Sequence, residues 1–216
     1  MPVPNCELDG SSIVLVGNFN PAIFHPSWLS EHGMVREGDA DQADIQVVSP
    51  EISSFTTHWL LLQVTRDKFQ ASTSDPRYFE PLRDLVVSVF RLLEHTPVRQ
   101  MGINRDMHFA SAIEQMNLFG EILAPKLIWK EILENPLMET LVMAAKRPDS
   151  DGKIFRVTIQ PSLRVVPGIY VGTNEHFELE KQQTPHKILE MLNRFWGGSL
   201  EHAKKTAEHL ISKVTR

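Results

Sequence analysis

Residues 59–73 read WLLLQVTRDKFQAST, and Ser74-Asp75-Pro76 follow at once. Trp59 to Thr65 is a run of bulky apolar residues broken by Gln63. Lys68 to Thr73 alternates Phe69 and Ala71 with polar residues, the period of a half-buried strand. The polar pair Arg66-Asp67 between them closes a hairpin. Asp75-Pro76 then opens a helix, because Asp accepts from orphan amides and Pro costs nothing at the first helical position. Leu82, Leu85, Val86, Val89, Phe90 and Leu93 recur at steps of three and four. Burying six such side chains contributes roughly 9–18 kcal/mol gross, against tenths of a kcal/mol per residue from intrinsic propensity. The helix therefore exists to cover a sheet.

Working outward, Ser12 to Phe19 (SIVLVGNF) reads as a buried strand ended by Asn20-Pro21. Pro26 to Gly33 fits a short helix with Gly33 at its C-terminal cap. Residues 36–44 read as a polar loop, and Ile45–Val48 and Ser54–Thr57 as further strands. Pro97 ends the long helix, and Val98 to Phe109 begins another strand. Ala110–Leu123 and Pro125–Leu133 are helical by pattern. Leu141–Lys146 and Lys153–Gln160 form a hairpin around Pro148-Asp149-Ser150-Asp151-Gly152. Gly168–Thr173 and His176–Leu179 read as the next hairpin. Thr184-Pro185 opens a last helix, kinked or split at Gly197-Gly198.

The series strand, helix, strands, long helix thus occurs twice. Thr65-Arg66-Asp67-Lys68-Phe69 and Thr173-Asn174-Glu175-His176-Phe177 match in Thr, acid and Phe. Gly17 and Gly102 each stand seven residues before a Phe. The expected fold is α+β: one domain over residues 1–216, built of two pseudo-symmetric repeats at about 12–95 and 98–214. The halves share one curved antiparallel sheet with the helices on one face, and residues 1–10 are expected to fray. The element order resembles TATA-binding-protein-like and helix-grip folds.

Trp59 to Thr73, Tyr78, the amphipathic helix and Val98 to Phe109 together resemble a sporadically distributed bacterial family of uncharacterised proteins, over residues 55–216. Its members carry an Arg-x-Gly-x-x-x-x-Asn type strand. Gly102 fits, whereas Met101-Gly102-Ile103-Asn104 departs from the fuller pattern. The resemblance implies neither an activity nor catalytic residues.

The 216 residues carry 22 Lys and Arg against 27 Asp and Glu, a net charge of -5. Such a chain buries about 70% of the surface it exposes when unfolded and needs no staples. Mild acidity with interspersed signs gives no footprint for nucleic acid; Lys204, Lys205, Lys213 and Arg216 are diluted by Glu201 and Glu208. One cysteine, Cys6, forms no internal disulfide and suits a reducing compartment. With no signal-peptide pattern and no apolar run near 20 residues, the expectation is a cytoplasmic protein without a membrane partner.

Among nine histidines no HExxH spacing occurs, and His202 and His209 stand about 10 Å apart along one helix, too far for one ion. Asp39, Asp41 and Asp44, like Asp149 and Asp151, lack the ligand order of a calcium loop. No metal or cofactor is expected. There is no nucleophile elbow or phosphate loop. His58 and His108, in or beside strands, are candidates for a pair across the sheet. Phe24, His25 and Trp28 lie in Asn18–Trp28 (NFNPAIFHPSW), which either displays aromatics to a partner or plugs the core. Binding residues are thus expected among Phe24, His25, Trp28, His58 and His108. The leading expectation is a non-catalytic bacterial interaction, regulatory or accessory protein. It would hold a protein partner, or its own copy as a homodimer, through a sheet face or edge. The alternatives are a small-molecule binder with a pocket between sheet and long helices, and an enzyme without a recognisable motif.

Overall fold

The hairpin of residues 59–73 belongs to a nine-stranded antiparallel sheet in a computed structural model that describes residues 5–146, 153–183 and 185–213. In chain order the elements are β1 (Cys6–Gly17), α1 (Pro26–Glu31), α2 (Glu37–Asp41), β2 (Asp44–Val48), β3 (Ile52–Thr56), β4 (Leu61–Thr65), β5 (Lys68–Thr73), α3 (Phe79–Leu92), β6 (Val98–Ala110), α4 (Ile113–Leu123), β7 (Leu141–Lys146), β8 (Ile154–Pro161), β9 (Gly168–Gln183) and α5 (Pro185–Ser212). Single 3-10 turns precede α1 (Pro21–Ile23) and α3 (Pro76–Tyr78). The strands lie in the order β2-β3-β4-β5-β1-β6-β9-β8-β7. The α+β class is as expected.

The chain forms two compact units. The larger comprises Gly10–Asn104 and Glu175–Ser199; the smaller comprises Met1–Asp9, Arg105–Asn174 and Leu200–Arg216. These are not the sequence halves 12–95 and 98–214, because β1, β6, β9 and α5 each contribute to both units.

In the larger unit, β4 and β5 pair with Leu62 opposite Ala71 and Val64 opposite Phe69. Thr65 Oγ1 donates to Asp67 Oδ1 (2.6 Å) and accepts from the Lys68 amide (3.2 Å), which closes the turn. Asp75 caps the Pro76–Tyr78 turn by accepting from the Arg77 amide (3.0 Å). Behind it, α3 buries Leu82, Leu85, Val86, Val89 and Phe90. Phe90 meets Phe69 edge-on at 5.0 Å and Phe19 at 5.9 Å. The stripe read from sequence thus covers the face that carries Phe69, Leu62 and Val64, leaving Gln63 and Gln70, directly opposed, on the other side.

In the smaller unit the core joins Met107 and Phe109 of β6, Ile159 of β8, and Ile169 and Val171 of β9 to Phe119 of α4 and Ala203, Ala207 and Ile211 of α5.

Several expectations are corrected. Residues 6–10 are not frayed but form the start of β1. Residues 37–41 are helical, with Glu37 and Asp39 in the first turn where the helix dipole favours acids. Residues 168–183 make one continuous strand instead of a hairpin. Val171, Thr173, Glu175 and Phe177 are buried in alternation through the supposed turn; a strand period carried by polar residues is easily missed. Residues 125–133 are turns, closed by bonds such as Leu133 N–H to Trp129 O (2.8 Å). A segment so short between Pro125 and Pro136 gains helix only by packing, and its apolar residues face outward. Gly197-Gly198 do not split α5, and Leu192, Trp196, Leu200, Ala203 and Ala207 are buried on both sides of the glycines. The expected turn at 148–152 lies outside the described residues, although β7 and β8 pair with Lys146 opposite Ile154.

Candidate functional site

The segment Asn18–Trp28 is held by its own caps and by the core. Asn20 Oδ1 accepts from the Ala22 amide (3.3 Å), and His25 Nδ1 accepts from the Ser27 amide (3.2 Å) at the start of α1. Phe24 is buried, 5.5 Å from Phe69 and 5.9 Å from Trp28. Trp28 is half-buried and lies against His32 at 4.9 Å. Phe24 therefore lies in the core, His25 caps a helix, and Trp28 packs between Phe24 and His32.

His58 lies in the tight connection between β3 and β4. Its Nδ1 is 3.4 Å from Asp39 and its Nε2 is 3.1 Å from the Tyr78 hydroxyl, while Trp59 stacks on Tyr78 at 5.3 Å. The side chain is 54% exposed, so this is a solvated polar clasp joining α2 to the start of α3.

His108 stands on β6 among different neighbours. Strands β5 and β1 separate β4 from β6 in the sheet, so the two histidines are not cross-strand partners. His108 Nδ1 is 2.8 Å from Ser162 Oγ, and the same oxygen accepts from the amides of Arg164 (3.2 Å) and Val165 (2.9 Å). With two amides donating to it, the hydroxyl donates its proton to Nδ1, which leaves the imidazole neutral with its proton on Nε2. Burial first, and the Arg164 charge second, hold the His108 pKa below its ordinary value. Beside it Tyr170 donates to Asp106 Oδ1 (2.5 Å), and burial together with that carboxylate pushes the phenol well above its usual range. Serine, histidine and aspartate thus share one side of β6 and the β8 end, but the aspartate serves the tyrosine rather than the histidine. A hydroxyl occupied by two amides closes a loop and is a poor nucleophile.

Cys6, half-buried in β1, donates to Leu8 O (3.2 Å). Burial, then the Asp9 charge, raise its pKa to about 11, so the thiol is unreactive at neutral pH. No group of three or more His, Cys, Asp or Glu suited to a metal ion exists among the described residues. Asp149 and Asp151 lie outside them.

A different feature dominates the smaller unit. Among the described residues, the exposed large apolar side chains are Ile45, Val48, Ile52 and Leu92, and then fourteen spread between Ile113 and Val166. Ile113, Leu118 and Ile122 point outward from α4, while Phe119 packs inward. Leu127, Ile128, Trp129, Ile132, Leu133 and Leu137 follow, Leu127 being 78% exposed. Glu121 holds this segment to α4 by accepting from the Lys126 amide (3.3 Å) and pairing with Lys126 Nζ at 3.4 Å. Those contacts, the amide first, keep its carboxyl below the usual range.

The series runs into β7, which ends the sheet. Leu141 packs against the core, but Val142 through Lys146 are all exposed. The opposite edge, β2, carries a register irregularity between Ile45 and Val47 and the charge of Asp44. Bulges and charges of that kind keep edges from pairing. Strand β7 (LVMAAK) has no bulge and one terminal charge. Sequence reading placed β7 correctly and began α4 three residues early, at Ala110, but missed the surface; its signal was the number of large apolar residues in 113–143 beside too few elements to bury them.

A cavity of about 150 Å³ lies in the same unit, lined mostly by apolar residues including Met116, Phe119, Leu137, Met138 and Ile159, together with Asn117, Lys126 and Gln160. In the larger unit an open cleft of about 390 Å³ lies between Asn18–Phe24 and Leu92–Pro97. Among the described residues no helix is long and apolar enough to cross a membrane. In comparisons with known proteins, no family model and no curated protein matches the chain.

Proposed function

We propose that the protein is a non-catalytic interaction protein, and that it works by presenting α4, residues 124–140 and the edge of β7 to a protein partner. One observation carries the reading: eleven large apolar side chains between Ile113 and Met143 are exposed, many within a single short segment at 127–137. The engagement of Ser162 and Asp106 in structural hydrogen bonds supports a non-catalytic role. A bacterial, cytoplasmic setting belongs to the same reading; the single cysteine is compatible with it. An apolar surface without clustered cations offers a nucleic-acid backbone no counter-charge.

The test is a photo-reactive side chain at position 129, with a control at Leu61 on the polar side of β4. Covalent adducts at position 129 and none at Leu61 are expected. A chain that stays single at both positions overturns the proposal.

A second reading rests on the cavity beside α4. Its size and apolar lining suit a small ring or short acyl chain. Raised melting temperature with small aromatic or short-chain aliphatic compounds, abolished by Gly120→Leu, is the expected result.

A further inference from the structure

We infer that the partner at β7 is a second copy of this chain, joined edge to edge by a two-fold axis normal to the sheet. This rests on the interaction reading above and names its occupant.

The argument starts from the strand. An unguarded edge offers a row of N–H and C=O groups that only water satisfies in a single chain, and the protein element that matches their spacing is another strand. A half-turn about a normal axis keeps each side chain on its own side of the sheet only if residues of the same parity oppose each other. Met143 opposite its own copy meets that condition. It sets Val142 opposite Ala144 and Leu141 opposite Ala145, bulky against small in each pair. Lys146, the strand's single charge, then faces no lysine, so the self-pairing has no like-charge penalty. By contrast β2, with its irregular register, cannot pair with itself in this way.

A six-residue edge falls short of the about 800 Å² per partner that a stable interface buries. The chain supplies the remainder next door. Leu137 lines a cavity with Ile159, the residue that pairs with Leu141 at the start of β7, and the same unit also exposes Leu127, Ile132 and Leu133. Two-fold symmetry covers those side chains on both copies at once.

The experiment uses the full chain with Cys6→Ser, which removes the native thiol. Light scattering across a concentration series should give twice the chain mass, and Val142→Lys with Ala144→Lys should weaken association by about tenfold with an unchanged circular dichroism spectrum. Oxidised Met143→Cys should give a covalent dimer, because the two thiols face each other. Ala145→Cys should not, since each faces Leu141 of the partner. Cross-linking through Ala145→Cys but not Met143→Cys overturns the pairing. A chain that remains monomeric at every concentration overturns the second copy as occupant. Monomer together with adducts of another protein at position 129 leaves the interaction reading standing, and monomer without adducts overturns both.

Discussion

Tyr170 folds back over Gly172: a Cβ at position 172 would stand 2.1 Å from the tyrosine hydroxyl. The missing side chain lets the phenol lie along the sheet and reach Asp106 on β6. Gly172→Ala should displace Tyr170 and cost about 1.5–3 kcal/mol, the worth of a hydrogen bond to a charged acceptor. The phenol's pKa is raised on folding, so its contribution is present below the ordinary value near 10 and is lost as pH rises through the folded value. Ultraviolet titration should show one tyrosine ionising late in the native protein, and at lower pH in Gly172→Ala and Asp106→Asn. Two tyrosines titrating alike in the parent protein would contradict the arrangement.

His108 behaves with the opposite sign. Its pKa is depressed by burial, so the unfolded chain binds the proton more readily. Stability is then full above the ordinary histidine value near 6.5 and declines as pH falls through it toward the folded value. Urea midpoints at pH 7.5 and 5.5 should differ less in His108→Asn than in the parent. Ser162→Ala removes the acceptor of two loop amides and the donor to His108; about 2–4 kcal/mol should be lost.

How much was legible follows from where the periodicity lay. The hairpin at 59–73 and helix α3 carry their burial in Leu, Val and Phe, so pattern and structure agree. Strand β9 carries part of its burial in Thr173 and Glu175, and reading those polar residues as a turn produced a false match to Thr65–Phe69, a true turn. Cys6 to Gly10 looked like a loose terminus because the polar Asp9 forms a buried ion pair, which no local pattern announces. The interaction surface was hidden for the converse reason. Residues 125–133 carry a helical apolar stripe, and only the structure shows that nothing in the described chain covers it.

That ion pair gives a third expectation. Arg105 Nε and Nη2 donate to the two carboxylate oxygens of Asp9 (2.9 and 2.6 Å), and Nη1 donates to Leu200 O (2.8 Å). Both side chains are largely shielded from water. Asp9→Asn should cost about 3–5 kcal/mol by removing one charge of a largely shielded, doubly hydrogen-bonded pair, and a double replacement, Asp9→Leu with Arg105→Met, should recover part of that loss. Denaturant unfolding of the three variants measures both effects. A loss under 1 kcal/mol in Asp9→Asn would mean that the start of β1 is not anchored.

Gly17 and Gly198 predict opposite outcomes for the same substitution. Gly17 ends β1 where a Cβ would lie 2.3 Å from the Pro97 carbonyl oxygen, and the Asn18 amide bonds that same oxygen (3.0 Å). The neighbour is backbone and cannot step aside as a side-chain end can. Gly17→Ala should therefore destabilise by about 2 kcal/mol or more, as overpacking against fixed atoms does. Gly198 lies within α5, and a Cβ there would meet nothing within 4 Å. Gly198→Ala gains helix propensity and removes unfolded-state freedom, so it should stabilise by about 0.5–1 kcal/mol. Thermal unfolding of the two variants side by side tests whether α5 runs unbroken through its glycine pair; destabilisation by Gly198→Ala would mean that the helix bends there after all.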